Sequence, residues 1–102
     1  MKALVKTKLG PDCMQYMDVP EPVPGDHDIK VKVYACGICG TDIHLMHDTY
    51  PSNPPIITGH EFSGVVAEVG KDVTDFKVGD RIVTLTAIET CEECEWLSLI
   101  HI

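Results

Sequence analysis

Between Ala35 and Gly64 the chain sets Cys39, Thr41, His44, His60 and Glu61 among glycines and prolines that break it into short segments. Thiolate, imidazole and carboxylate are the ligand types that zinc takes in a tetrahedral cup, and a catalytic site leaves one position open to water or substrate. The stretch carries each type in Cys39, His60 and Glu61, which makes up most of such a site.

The rest of the composition bounds the reading. A chain of 102 residues is one domain's worth, long enough to bury roughly 60–70% of its unfolded surface. Sixteen acidic against eight basic side chains give a formal charge of −8, which opposes phosphate backbones and anionic lipid. Nucleic-acid and membrane partners are therefore set aside. No run approaches the ~20 apolar residues of a membrane span, and Lys6 and Lys8 interrupt the start too early for a signal peptide. A cytoplasmic setting is expected. Of the five cysteines, all but Cys13 fall as Cys36-x-x-Cys39 and Cys91-x-x-Cys94, and in a reducing compartment that spacing points to metal before disulfide. Cys13 reads as a small apolar filler.

Residues Ala3 to Lys8 and Gln15 to Val19 flank a Gly10-Pro11-Asp12 turn and predict a hairpin. Pro20, Pro22 and Pro24 lack the donor for a ladder, so that segment is an extended connector. Ile29, Val31, Val33 and Ala35 alternate with Lys30, Lys32 and Tyr34, the pattern of a half-buried strand. Thr41 and Asp42 are candidate caps for a short helix over Ile43 to His47. Strands follow at Phe62–Val69 and Arg81–Thr86, separated by turns at Gly70 and Gly79. Short, evenly spaced strands with glycine punctuation predict a small, mainly β barrel or sandwich.

Taken singly, the chemistry-bearing residues have plain structural alternatives. Thr41 serves equally as a helix cap and His44 as an exposed helix residue, although a hydroxyl and an imidazole so spaced can pass a proton. His60 and Glu61 are adjacent, and on a regular strand their side chains point to opposite faces, so both reach one metal only through a local distortion. Cys36 is an alternative sulfur ligand or a buried thiol. Cys91 and Cys94 form half of a zinc knuckle, and a closed site needs four ligands. His27, His47 and His101 carry no telling spacing and read as surface residues.

Together the residues resemble the N-terminal domain of zinc-dependent medium-chain alcohol dehydrogenases. The resemblance rests on Cys39-Gly40-Thr41-Asp42-Ile43-His44, on Gly59-His60-Glu61-Phe62-Ser63-Gly64-Val65-Val66, and on Gly70, Val73, Phe76 and Gly79-Asp80-Arg81-Ile82-Val83. It implies a GroES-like, partly open β-barrel with short helices, followed in the full enzyme by a Rossmann domain for NAD(P). By the same resemblance Cys39 and His60 are zinc ligands, Glu61 is a ligand or a carboxylate beside the metal, and Thr41 and His44 form a proton relay. A further ligand lies beyond Ile102. Zinc would act as a Lewis acid on an alcohol or polyol whose hydride passes to the nicotinamide. The Pro-Pro-Ile-Ile-Thr-Gly-His-Glu run is most similar to the polyol and threonine dehydrogenase branches, and homo-oligomers are the family's habit.

The resemblance weakens at the end of the chain. The family's structural zinc lobe continues from its first two cysteines to a third three residues on, and Leu97 stands where that cysteine belongs. Leu97-Ser98-Leu99-Ile100-His101-Ile102 can be back-translated as CTG TCT CTT ATA CAC ATC, which resembles a transposon-end sequencing adapter. The expectation is a native domain over 1–96 and a non-native tail over 97–102. The sequence has no G-x-G-x-x-G and no βαβ pattern, so the isolated chain is expected to turn nothing over. The rival reading is a stand-alone GroES-like zinc-binding or interaction module without catalysis. A zinc-free reductase of the same superfamily fits less well, because Cys39, His60 and Glu61 are all present.

Overall fold

The computed structural model describes residues 1–85; Cys91, Cys94 and the tail 97–102 lie outside the described residues. The elements run β1 (Lys2–Lys6), β2 (Met14–Asp18), β3 (Ile29–Cys36), α1 (Gly40–Met46), β4 (Ile56–Ile57), β5 (Phe62–Val69) and β6 (Arg81–Val83). They form two three-stranded antiparallel sheets, ordered β2-β1-β4 and β3-β5-β6, neither closed on itself. This is the mainly β, partly open architecture that the family resemblance implies.

The first sheet is the predicted hairpin, in register from Lys2 opposite Asp18 to Lys6 opposite Met14. Its other edge takes β4, and the Leu4 carbonyl accepts the Thr58 N–H at 3.0 Å, which fastens the chain one residue before Gly59. In the second sheet β3 and β5 pair with register shifts at Lys30/Val31 and Val33/Ala35. Such bulges bend a pair and re-aim the side chains beside them.

Three expectations are corrected. The helix begins at Gly40, not Ile43, with Cys39 as its N-cap in extended backbone. Asp42, in place of capping directly, sits at the third helical position and returns its carboxylate to the Cys39 N–H at 2.9 Å. β6 ends at Val83, short of the expected Thr86: the Thr84 N–H still donates to the Phe62 carbonyl at 3.0 Å, but the Phe62 N–H is taken by the Thr84 hydroxyl at 3.1 Å and the pairing goes no further. The alternating burial expected of β3 is absent: Ile29 to Val31 are half-buried, and everything from Lys32 to Cys36 is exposed. Among the described residues no layer covers that end of the sheet, so alternation in sequence has no inside and outside to separate. Among the described residues the buried apolar side chains are accordingly few: Ala3, Val5, Leu45 and Val66.

One buried polar contact joins the two halves of the sequence. Lys6 is fully buried, donates to the Leu45 carbonyl at 2.8 Å and pairs with the Asp48 carboxylate. The other Asp48 oxygen accepts the Gly10 N–H at 2.8 Å. Both donors favour the ionised carboxylate, Lys6 more strongly, and hold the Asp48 pKa below its ordinary 3.8. A depressed carboxylate contributes stability that is fully present above the ordinary value and is lost as pH falls through the folded value. The acid limb of the stability curve below pH 3.8 is therefore expected to be shallower in Asp48→Asn than in the wild type, as read by urea unfolding across pH. Parallel limbs would remove the pair from the acid response.

Candidate metal centre

Three chain segments meet at one point. The end of β3 delivers Gly37 and Cys39, α1 begins at Gly40, and the approach to β5 delivers His60 and Glu61. The Gly37 N–H donates to the Glu61 carbonyl at 2.7 Å, so the two incoming segments are stitched backbone to backbone. A β-carbon at Gly37 would stand 3.2 Å from Glu61 Oε2, so the position admits the carboxylate where a larger residue would crowd it.

The adjacency of His60 and Glu61 is resolved by where the strand starts. Regular β5 begins at Phe62, so neither residue is bound to strand alternation. Gly59, at φ +97, supplies the left-handed backbone that turns the chain into them, and a β-carbon there would stand 3.0 Å from Cys36 Sγ. Thr84 then holds the segment from the far side, its hydroxyl donating to the His60 carbonyl at 2.9 Å.

The outcome is a cluster in which one donor atom each from Cys39, His60 and Glu61 lies within 4.8 Å of the others. Cys39 and His60 are half-buried and Glu61 is exposed. Cys36, the alternative sulfur, is not part of the cluster; it is exposed and its Sγ lies 3.5 Å from the Gly37 carbonyl. The Thr41 hydroxyl stands 3.7 Å from Cys39 Sγ, beside the cluster. His44 is exposed, and its Nδ1 contacts Thr49 Oγ1 at 3.0 Å instead of Thr41. His27 faces Asp72 at 3.7 Å, and Cys13, read as an apolar filler, places its Sγ 3.2 Å from the Pro11 carbonyl.

Two residues escaped the sequence reading. Thr84 carries no signal recognisable without the fold. Asp42 looks like a cap and does more: its Oδ1 is buried, has no hydrogen-bond partner, and stands 3.9 Å from His60 Nδ1. A buried carboxylate oxygen left open is costly. Beside an imidazole it suits a ring held with Nδ1–H toward Asp42 and Nε2 free to coordinate, the usual carboxylate–histidine support of a metal. The donor set and this orphaned oxygen both fit a zinc ion. Asp42→Asn keeps the shape and removes the charge, and its Zn2+ affinity is expected to fall by roughly 10–100-fold in a chelator competition. Unchanged affinity would reduce Asp42 to a helix cap.

Next to Glu61 opens a cleft of about 500 Å³ lined by Ala35, Gly37, Glu61, Phe62, Ser63, Val83 and Thr84. It abuts the cluster through Glu61 and is walled by the uncovered end of the second sheet.

Residues 25–99 match the family described as alcohol dehydrogenase GroES-like domain. A sorbitol dehydrogenase of Halalkalibacterium halodurans is 46% identical over 96 residues, which is 94% of this chain and 28% of that protein. An L-threonine 3-dehydrogenase of Streptomyces avermitilis is 49% identical over 86 residues, covering 80% of this chain and 25% of that protein. In three dimensions the chain superposes on a protein of Sinorhizobium meliloti 1021, classed as a zinc-binding dehydrogenase and solved bound to NADP. That match has TM-score 0.79 and 39% identity, over 96% of this chain and 28% of the other. The chain thus spans between a quarter and a third of the length of these three proteins. With the family match covering well over half of its length, the chain belongs to the alcohol dehydrogenase GroES-like domain family.

Proposed function

We propose that the chain is the zinc-bearing N-terminal domain of an NAD(P)-linked alcohol or polyol dehydrogenase. The observation that carries this is the convergence of Cys39, His60 and Glu61 on one point, with Asp42 behind His60. Those three side chains would hold the zinc, with a further ligand from the rest of the full protein. Zinc in such a setting acts as a Lewis acid that lowers the pKa of an alcohol hydroxyl.

The remaining steps belong to this chain's own groups. Asp42 keeps the His60 ring in one orientation. Thr41, beside Cys39 Sγ, accepts the hydroxyl proton and hands its own on, as a group that is both donor and acceptor can. His44 passes the proton to solvent, which its exposure permits. The cleft beside Glu61 receives the carbon skeleton of the alcohol. The nicotinamide binds to the remainder of the full protein, which in the relatives makes up about three quarters of the length. The sorbitol dehydrogenase relative supports a polyol-type substrate.

The test is a chimera in which residues 1–85 replace the matching part of the Halalkalibacterium sorbitol dehydrogenase. It is expected to oxidise a polyol with NAD(P), and to lose that activity on His60→Ala. The 102-residue chain alone is expected to give no turnover. A chimera that folds and binds nicotinamide yet oxidises no alcohol would refute the proposal.

A further inference from the structure

The last turn of α1 ends in a closed motif. His47 is the C-cap, and Asp48 follows in left-handed backbone at φ 59. The Asp48 N–H donates to the Leu45 carbonyl at 3.2 Å and the Thr49 N–H to the His44 carbonyl at 2.9 Å. That pair of bonds is a Schellman closure, normally built on glycine. Here an aspartate takes the left-handed position, and its carboxylate is gripped by buried Lys6 and by the Gly10 N–H. Thr49 is thereby folded back over the helix end, against the residue four places before Asp48.

Its hydroxyl makes two contacts there, one to the His44 carbonyl at 3.2 Å and one to His44 Nδ1 at 3.0 Å. A hydroxyl has one proton to give and lone pairs to accept with. If Thr49 gave that proton to Nδ1, its oxygen would face the carbonyl oxygen at 3.2 Å with no proton between them. If Thr49 donates to the carbonyl, Oγ1 accepts from Nδ1–H and both contacts are hydrogen bonds. Only the second assignment satisfies the geometry.

We propose that Thr49 is a positioning residue that fixes the tautomer of His44, holding the proton on Nδ1 and leaving Nε2 bare. The consequence for proton transfer rests on the relay reading given above. A proton arriving at Nε2 makes an imidazolium whose Nδ1–H is still held by Thr49. Release of that proton from Nε2 to water restores the starting ring, so the cycle needs no tautomer change. Lys6 and Asp48 enter as the parts that hold Thr49 in reach.

The test is a long-range 1H–15N spectrum of the 102-residue chain labelled in histidine, at a pH where the rings are neutral, with His44 assigned by His44→Gln. The expected pattern is a protonated, pyrrole-type shift at Nδ1 and a bare, pyridine-type shift at Nε2. Thr49→Ser should keep that pattern and Thr49→Val should lose it. The proposal is overturned if wild-type His44 carries its proton on Nε2, or if a folded Thr49→Val leaves the pattern unchanged. Should Thr49→Val fail to fold, the wild-type pattern and its retention in Thr49→Ser still decide the matter. If the pattern is as expected while His44→Gln leaves turnover of the chimera unaltered, the relay falls and the tautomer assignment stands.

Discussion

Cys39→Ser is expected to lower the Zn2+ affinity of the chain by roughly 10²–10³-fold, while Cys36→Ser leaves it within a few-fold of wild type. The scale follows from structural zinc sites, whose ~10–16 kcal/mol divided over four ligands leaves about 2.5–4 kcal/mol for each, at about 1.4 kcal/mol per tenfold. Cys39 is the sulfur in the cluster with His60 and Glu61, and Cys36 is not. The contrast is sharp because both cysteines belong to one C-x-x-C, and spacing alone treats them alike. The backbone separates them: Cys36 closes β3, whereas Cys39 caps α1 with its amide held by Asp42. Competition against a chromophoric chelator reads both variants. Equal affinity in wild type and Cys39→Ser would remove the thiolate from the site and with it the proposed ligand set.

The second large effect lies in the backbone behind the site. Gly64→Ala is expected to destabilise the chain by about 3 kcal/mol or more, at the upper end of what an added methylene costs in a filled site. A β-carbon there would stand 2.4 Å from the Lys32 carbonyl oxygen and 2.7 Å from Val31 Cγ1. Backbone in the middle of a paired strand has little room to yield, and Gly64 pairs with Val33 on one side and Ile82 on the other. Gly40→Ala is the matched control, since a β-carbon at Gly40 meets nothing within 4 Å and alanine favours the helix. Urea unfolding of the pair is expected to show a large loss for the first and none for the second. The Gly64 variant should also bind Zn2+ more weakly, because β5 must shift away from β3 and carries His60 and Glu61 with it. Equal midpoints for the two variants would show that β3 and β5 separate at little cost.

Much of this was legible in residue types. The hairpin, the β3 and β5 strands and the turn glycines follow from alternation and punctuation, which are local properties. Cys39, His60 and Glu61 stood out because few other uses gather those three side chains among glycines. What stayed hidden depends on distance through space. Thr84 reaches the His60 carbonyl from twenty-four residues away, and Lys6 reaches the end of α1 from the first strand. Asp42 was visible as a cap, yet its facing of His60 needed both β5 and α1 in place. The burial pattern of β3 failed for the same reason in reverse, because alternation marks a core only where another layer arrives to make one.

The sequence by itself determined the type of fold and the chemical inventory, because strand periodicity, turn glycines and ligand-type side chains are written residue by residue. The tertiary structure alone decided which cysteine of the pair joins the cluster, that His60 and Glu61 escape strand alternation by preceding β5, and that Thr49 meets His44. Each of those turns on where a strand or helix starts and stops. Such ends are set by hydrogen bonds between segments far apart in the chain, and no local pattern encodes them.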